Sequence, residues 1–124
     1  MRGSRPRRIL WTITIIYWAA IFTSTHVPAE RMPHLPLSDK TEHVLTFAVL
    51  ASLLSACLSI GKRDPRHVPV TVLAICMTYG AVDEWLQIPV HRSCDLMDWF
   101  ADTTGAAIGV VLFAISYHRL NTPT

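Results

Sequence analysis

Four stretches of this 124-residue chain contain no Asp, Glu, Lys or Arg: 9–25, 44–60, 68–82 and 103–117. Each is 15 to 17 residues long, slightly under the roughly 20 apolar residues that cross a bilayer as helix. Each can be extended at one end through a few polar residues. The pattern predicts four transmembrane helices at about 8–25, 41–60, 68–88 and 96–118. Charged residues are 16% of the chain and hydrophobic residues 51%, against roughly 25% charged in an average soluble domain. So little charge leaves too few groups to cover a soluble surface of this size, and so much apolar content excludes disorder.

Breakers mark the connections. Pro28, Pro33 and Pro36 keep the first loop from being helical throughout. Gly61, followed by Lys62, Arg63, Asp64, Pro65 and Arg66, reads as a glycine cap and stop for the second helix. Pro89 stops the third. Short loops join helices two, three and four, so sequential neighbours should pack antiparallel. The expected fold is all-α: an integral membrane four-helix bundle forming a single domain over 1–124. Arg2, Arg5, Arg7 and Arg8 before the first run, with Val27-Pro28-Ala29 after it, also imitate a cleaved signal peptide. The length of the run and its Trp11 and Trp18 favour a retained helix.

Charge sets the orientation. Arg2, Arg5, Arg7, Arg8, Lys62, Arg63, Arg66 and Arg119 fall on one side of the four predicted helices. Arg31, Lys40 and Arg92 fall on the other. The positive-inside rule then places both termini in the cytoplasm. The net charge of +2 is too small for a nucleic-acid footprint, so no nucleic-acid partner is expected. Of nine acids, only Asp64 is on the basic side. Glu30, Asp39, Glu42, Asp83, Glu84, Asp95, Asp98 and Asp102 gather at the outer end. Orientation does not require this, because acids contribute little to it.

Depth makes the cluster harder to dismiss. At 1.5 Å per residue, Asp83 lies about 9 Å before Pro89, Asp102 about 10 Å beyond Asp95, and His43 about 6 Å beyond Asp39. Ionisable groups at such depth face a bundle interior or a wet cavity and are functional candidates. Asp39 and Glu42, three apart at a helix start, resemble a capping box. Lys40 and His43 are candidate ligand-binding residues, and His43 shares a face with Asp39. Asp83 and Glu84 point about 100° apart, so only one faces the site, and Gln87 can reach either. Asp98 and Asp102, one turn apart, can share a divalent cation such as Mg²⁺, Mn²⁺ or Ca²⁺. Arg92 is either a structural salt bridge or a fork for a phosphate or carboxylate. His43 and Glu84 are the candidates for an acid–base role. Gly105-x-x-x-Gly109 continues the acidic stripe as a close-packing seam. Cys57 and Cys76 read as packed thiols, and Cys94 as an unpaired thiol outside. The four tryptophans belong near helix ends or between helices.

Three motifs in this order resemble the VanZ-like family of small multi-pass bacterial membrane proteins. They are Asp39-Lys40-x-x-His43-x-x-x-Phe47, Tyr79-Gly80-x-x-Asp83-Glu84-x-x-Gln87, and Arg92-x-x-Asp95-x-x-Asp98-x-x-Ala101-Asp102-x-x-Gly105-x-x-x-Gly109. The resemblance covers 39–109 and, by layout, the first helix. The family often has Asn where this chain has Asp102. The resemblance implies a protein of the bacterial cytoplasmic membrane with an outward-facing polar motif. It also implies a cell-envelope role, linked in some relatives to glycopeptide (teicoplanin) resistance, but supplies no reaction.

Three functions follow as expectations. A binding protein would hold an anionic or lipid-linked envelope precursor by a metal or by Lys40 and Arg92. An enzyme would use Asp98 and Asp102 for a metal, with Glu84 or His43 as base, to hydrolyse or transfer a lipid phosphate. The Asp-x-x-Asp spacing is shared with CDP-alcohol transferases, but the rest of that signature is missing. A structural protein would use the polar residues only to lock its helices together, although intramembrane hydrogen bonds average just about 0.6 kcal/mol.

Overall fold

The structure is a computed structural model, and it describes residues 4–31, 33, 36–60 and 64–121. Four helices account for most of it: α1 Ser4–Thr25, α2 Asp39–Ile60, α3 Val68–Leu86 and α4 Leu96–Asn121. Single 3-10 turns, Ala29–Arg31 and Ile88–Val90, lie in the two connections at the polar end. There is no strand among the described residues. The expected glycine stop at Gly61, with Lys62 and Arg63, lies outside the described residues, as does Arg2.

The helix ends differ from expectation for local reasons. α1 begins four residues early, at Ser4, and Pro6 is harmless in a first turn whose N–H groups have no intrahelical partner. α2 starts at Asp39 because Ser38 is its cap: the Ser38 hydroxyl accepts from the Thr41 N–H at 3.2 Å. Asp39 is therefore the first helical residue rather than the cap of a capping box. α3 ends at Leu86, two residues before the expected limit, and the chain tightens into the turn that holds Pro89. A residue preceding proline is disfavoured in helix, and Ile88 is that residue. The turn closes on His91 in the left-handed region, φ 59°. Asp95 then caps α4, taking the Met97 N–H on Oδ1 at 2.9 Å.

Successive helices reverse direction. Glu84 of α3 meets Asp95 at the start of α4, and Gly80, earlier in α3, meets Trp99, later in the chain, so the two helices pack in antiparallel register. The most extensive packing, however, joins α2 and α4, which run parallel. Gly105 lies over Val44 and Gly109 over Ala48, a constant offset along both helices. A Cβ on Gly105 would sit 2.9 Å from the carbonyl carbon and Cα of Val44. One on Gly109 would meet the same atoms of Ala48 at 2.9 and 3.0 Å. The backbones touch there because Gly105 and Gly109 put no side chain between the helices. The Ser52 hydroxyl sits in the same seam, 2.8 Å from the Ala48 carbonyl oxygen and 3.2 Å from that of Gly109.

The core lies along α2. Phe47, Leu50, Ala51 and Leu54 are buried against Val72 and Cys76 of α3, Ala106 and Val110 of α4, and Ile21 of α1. Polar side chains reach across to carbonyls that retain a free lone pair: Tyr17 to Thr46 at 3.0 Å, and Trp99 to Met77 at 2.9 Å. Cys57 and Cys76 are buried, and Cys94 is exposed, all three as free thiols. The outer faces are apolar: Ile13 and Ile16 of α1, Val49 of α2, Val70 of α3 and Leu112 of α4 are all exposed. Both α2 and α4 are long and apolar enough to cross a membrane, at about 33 and 39 Å by helical rise.

Candidate functional site

The polar residues meet at one end of the molecule, where α1 and α3 finish and α2 and α4 begin. Each side chain is placed by a local feature. The Ser38 and Asp95 caps fix the starts of α2 and α4. The glycine seam then sets the register between them, which brings His43 opposite Asp102, with Nδ1 2.7 Å from Asp102 Oδ1. Asp102 is 1% exposed. One turn nearer the end, Lys40 Nζ donates to Asp95 Oδ2 at 2.7 Å and to Asp98 Oδ1.

Asp95 is a three-way junction. It caps α4 with one carboxylate oxygen and takes Lys40 with the other. Its backbone N–H donates to Glu84 Oε2 at 2.9 Å, tying α3 to the start of α4. The Lys40 ammonium and the Met97 N–H stabilise the charged form of Asp95 and hold its carboxyl below the usual range.

Asp83 and Glu84 divide as their 100° separation requires. Glu84 faces α4 and forms a close group with His43 and Asp102. Asp83 turns towards α1. Its Oδ1 accepts from Thr25 at 3.0 Å and from Tyr79 at 3.3 Å. Gln87 bridges the two acids, its amide nitrogen 3.2 Å from Asp83 and 3.4 Å from Glu84. Gln87 is 3% exposed, so this amide replaces water for both acids.

Arg92 reaches towards α1 instead of towards an acid. Among the described residues it makes no ion pair. Its Nη1 donates to the backbone carbonyls of Val27 at 3.2 Å and Ser24 at 3.5 Å, holding down the end of α1. It also lines a cavity of about 60 Å³ with Ser24, Thr25, Asp39, Glu42 and His43. That volume has room for a few waters or one small polar group.

Asp98 and Asp102 do not fall in one set of three mutually close donors. Two such sets exist among the described residues, Asp39–His43–Asp98 and His43–Glu84–Asp102, and His43 belongs to both. The histidine stands between the two aspartates that the sequence pairs. In the first set, His43 Nε2 is 3.8 Å from Asp98 Oδ2 and 4.0 Å from Asp39 Oδ1.

Thr25 and His26 join the site without having been singled out from the sequence. His26 Nδ1 lies 2.7 Å from the Phe22 carbonyl oxygen and 3.8 Å from Asp83. Their only signal is position: they stand just where the first uncharged run ends, level with the outer acids. Ser38 was equally legible as a cap, but the adjacent Asp39 offered a better-known pattern.

No curated protein and no solved structure matches the chain. The VanZ/LLP1 family model matches residues 7–117, which takes in all three polar motifs and most of every helix, and the protein belongs to that family.

Proposed function

We propose that this is a multi-pass protein of the bacterial cytoplasmic membrane whose outward-facing polar site binds the phosphate-bearing head of a lipid-linked envelope molecule. In this reading all four helices span the bilayer, the chain forms one domain, and both termini are cytoplasmic. The carrying observation is the cavity of about 60 Å³ at the polar end, lined by Arg92, Asp39, Glu42 and His43. It is large enough for one phosphoryl group and too small for a whole ligand. The remainder of the ligand would lie outside it. Apolar grooves of about 740 and 410 Å³ flank the Trp18–Tyr79 contact along α1 and α3, and Tyr79 connects that contact to Asp83. A lipid tail in the groove and its head in the cavity would account for both features.

The anion anchor in this reading is Arg92. Lys40 is already engaged by Asp95 and Asp98. Family membership and two helices of spanning length support the membrane placement. The basic residues at the opposite end support the orientation.

The first test uses native mass spectrometry of the detergent-purified chain with a polyisoprenyl pyrophosphate. Wild type should retain the lipid through detergent exchange, and Arg92→Ala should lose it. Retention of phosphatidylglycerol at equal strength would sink the reading. Orientation has a separate test. A membrane-impermeant maleimide should label Cys94 in intact cells, whereas Cys57 and Cys76 are buried. Labelling only after the inner face is opened would reverse the topology.

One observation favours a second reading, hydrolysis or transfer at the bound phosphate. His43 paired with Asp102 at 2.7 Å is an imidazole oriented by a carboxylate, the arrangement of a general base. Release of inorganic phosphate from the same lipid, lost in His43→Gln, would establish it. Binding without turnover would leave a binding protein.

A further inference from the structure

We infer that His43 Nε2, Asp98 Oδ2 and Asp39 Oδ1 form a three-donor face for one divalent transition-metal ion, with Asp102 as the positioning residue that orients the imidazole. This rests on the reading above for the ligand, since the ion would be what the phosphoryl group meets in the cavity. The metal site itself is argued from the side chains alone.

A carboxylate only accepts hydrogen bonds, so the 2.7 Å contact from His43 Nδ1 to Asp102 Oδ1 puts the proton on Nδ1. In the neutral ring Nε2 is then a lone pair, with two carboxylate oxygens 3.8 and 4.0 Å away. Those separations are too long for hydrogen bonds. They are within the span of about 4.2 Å open to two donors each about 2.1 Å from a shared ion. A histidine whose second nitrogen is held by a carboxylate is the usual support for a metal-ligating imidazole.

Lys40 divides the carboxylates. It takes Oδ1 of Asp98 and lies 3.8 Å from Oδ2 of Asp39. The oxygens it leaves are the ones nearest His43 Nε2. The charges also fit. Lys40 is balanced by Asp95, and a divalent ion would balance Asp39 and Asp98. Without an ion, Asp98, 6% exposed, shares the one ammonium with two other carboxylates.

Asp39 and His43 line the small cavity together with Arg92. Three protein donors leave coordination positions open, and the cavity is where an incoming oxygen ligand would take them. The donor set selects the ion. One imidazole with two carboxylates suits Mn²⁺, Co²⁺ or Zn²⁺, while Mg²⁺ and Ca²⁺ prefer oxygen throughout.

The test is titration of the purified full chain with Co²⁺, Zn²⁺ and Mg²⁺ alone, without lipid ligand. Calorimetry should show one saturable Zn²⁺ or Co²⁺ site per chain, with Mg²⁺ at least about tenfold weaker. Asp39→Asn should weaken Co²⁺ binding by more than about tenfold. That side chain is largely exposed, so this variant should fold even if His43→Gln does not. Asp102→Asn should weaken binding by about 10–100-fold and shift the Co²⁺ absorption bands, which a merely structural role would not do. Glu84→Gln should weaken binding less than Asp39→Asn does. The inference fails if no transition metal saturates, or if Glu84→Gln abolishes binding while Asp39→Asn does not. Lipid retention in EDTA separates the two ideas. Metal binding with no lipid uptake would sink the ligand reading alone, and lipid retention with no metal binding would sink this one alone.

Discussion

His43 and Asp102 face each other across the α2–α4 seam at 2.7 Å, three residues before Gly105 brings the two backbones into contact. The pair therefore depends on the seam for its distance and on its own chemistry for its worth. Asp102→Asn preserves an acceptor for the imidazole N–H and should cost no more than about 1 kcal/mol. Asp102→Ala leaves Nδ1 without a partner and should cost about 1.5–3 kcal/mol. Equilibrium unfolding in mixed detergent would measure both. Equal losses would mean that the hydrogen bond contributes nothing.

The three glycines within α3 and α4 should not respond alike. Gly105→Ala and Gly109→Ala each push a methyl into backbone atoms of α2, which cannot rotate away. Each should cost about 1–3 kcal/mol, the usual range for overpacking. At Gly80 the added methyl would meet Asp102 Oδ2 at 3.1 Å and Trp99 Cδ1 at 3.4 Å. These are side-chain atoms with some freedom. Gly80→Ala should therefore be the mildest in stability, yet it should disturb His43 by moving Asp102. Thermal unfolding ranks the three, and the His43 ring resonances report the second effect.

Asp95 contributes to the acid limb of stability. Its carboxyl titrates below the ordinary value because Lys40 holds the charged form. A depressed carboxylate stabilises the fold above its unfolded pKa of about 3.9. That stability is lost as pH falls through the lower folded value. Asp95→Asn should be less stable than wild type at neutral pH, and the gap should close below about pH 4. A gap unchanged from pH 7 to pH 3 would place the effect in the helix cap instead.

Two tryptophans on adjacent helices should behave oppositely. Trp99 donates its indole N–H to Met77 at 2.9 Å, whereas Trp85 is 69% exposed. Trp99→Phe should cost about 0.5–1.5 kcal/mol, and Trp85→Phe close to nothing. Chemical denaturation of the two variants side by side would show it.

Much of this was written in the sequence as absence of charge. The four uncharged runs locate every helix because long helices cannot bury unpaired charge. The ends were less legible. Whether Ser38 or Asp39 caps α2 is decided by one hydroxyl reaching one N–H, and both residues are good caps. The sequence brought Lys40, His43, Glu84, Asp98 and Asp102 to a similar depth but not to particular partners. Partnering depends on the azimuth of each helix, which a constant α2–α4 offset sets. That offset is a contact between residues 61 apart, and a short spacing pattern carries no trace of it. Arg92 shows the same limit. Its loop position is legible, while its contacts with the Ser24 and Val27 carbonyls are between residues 68 and 65 apart.

The glycine seam also acts as an index mark for α4. Gly105 is the zero point at which the helix is pinned, and Asp102 is read from it by counting back less than one turn. Adding or deleting one residue between them would swing the carboxylate about 100° around the helix. Asp102 would then point away from His43, although the composition, hydropathy and helix length would be nearly unchanged. Substitutions can retune the chemistry at this end of the molecule, but a change of chain length inside 102–105 would take the carboxylate out of it.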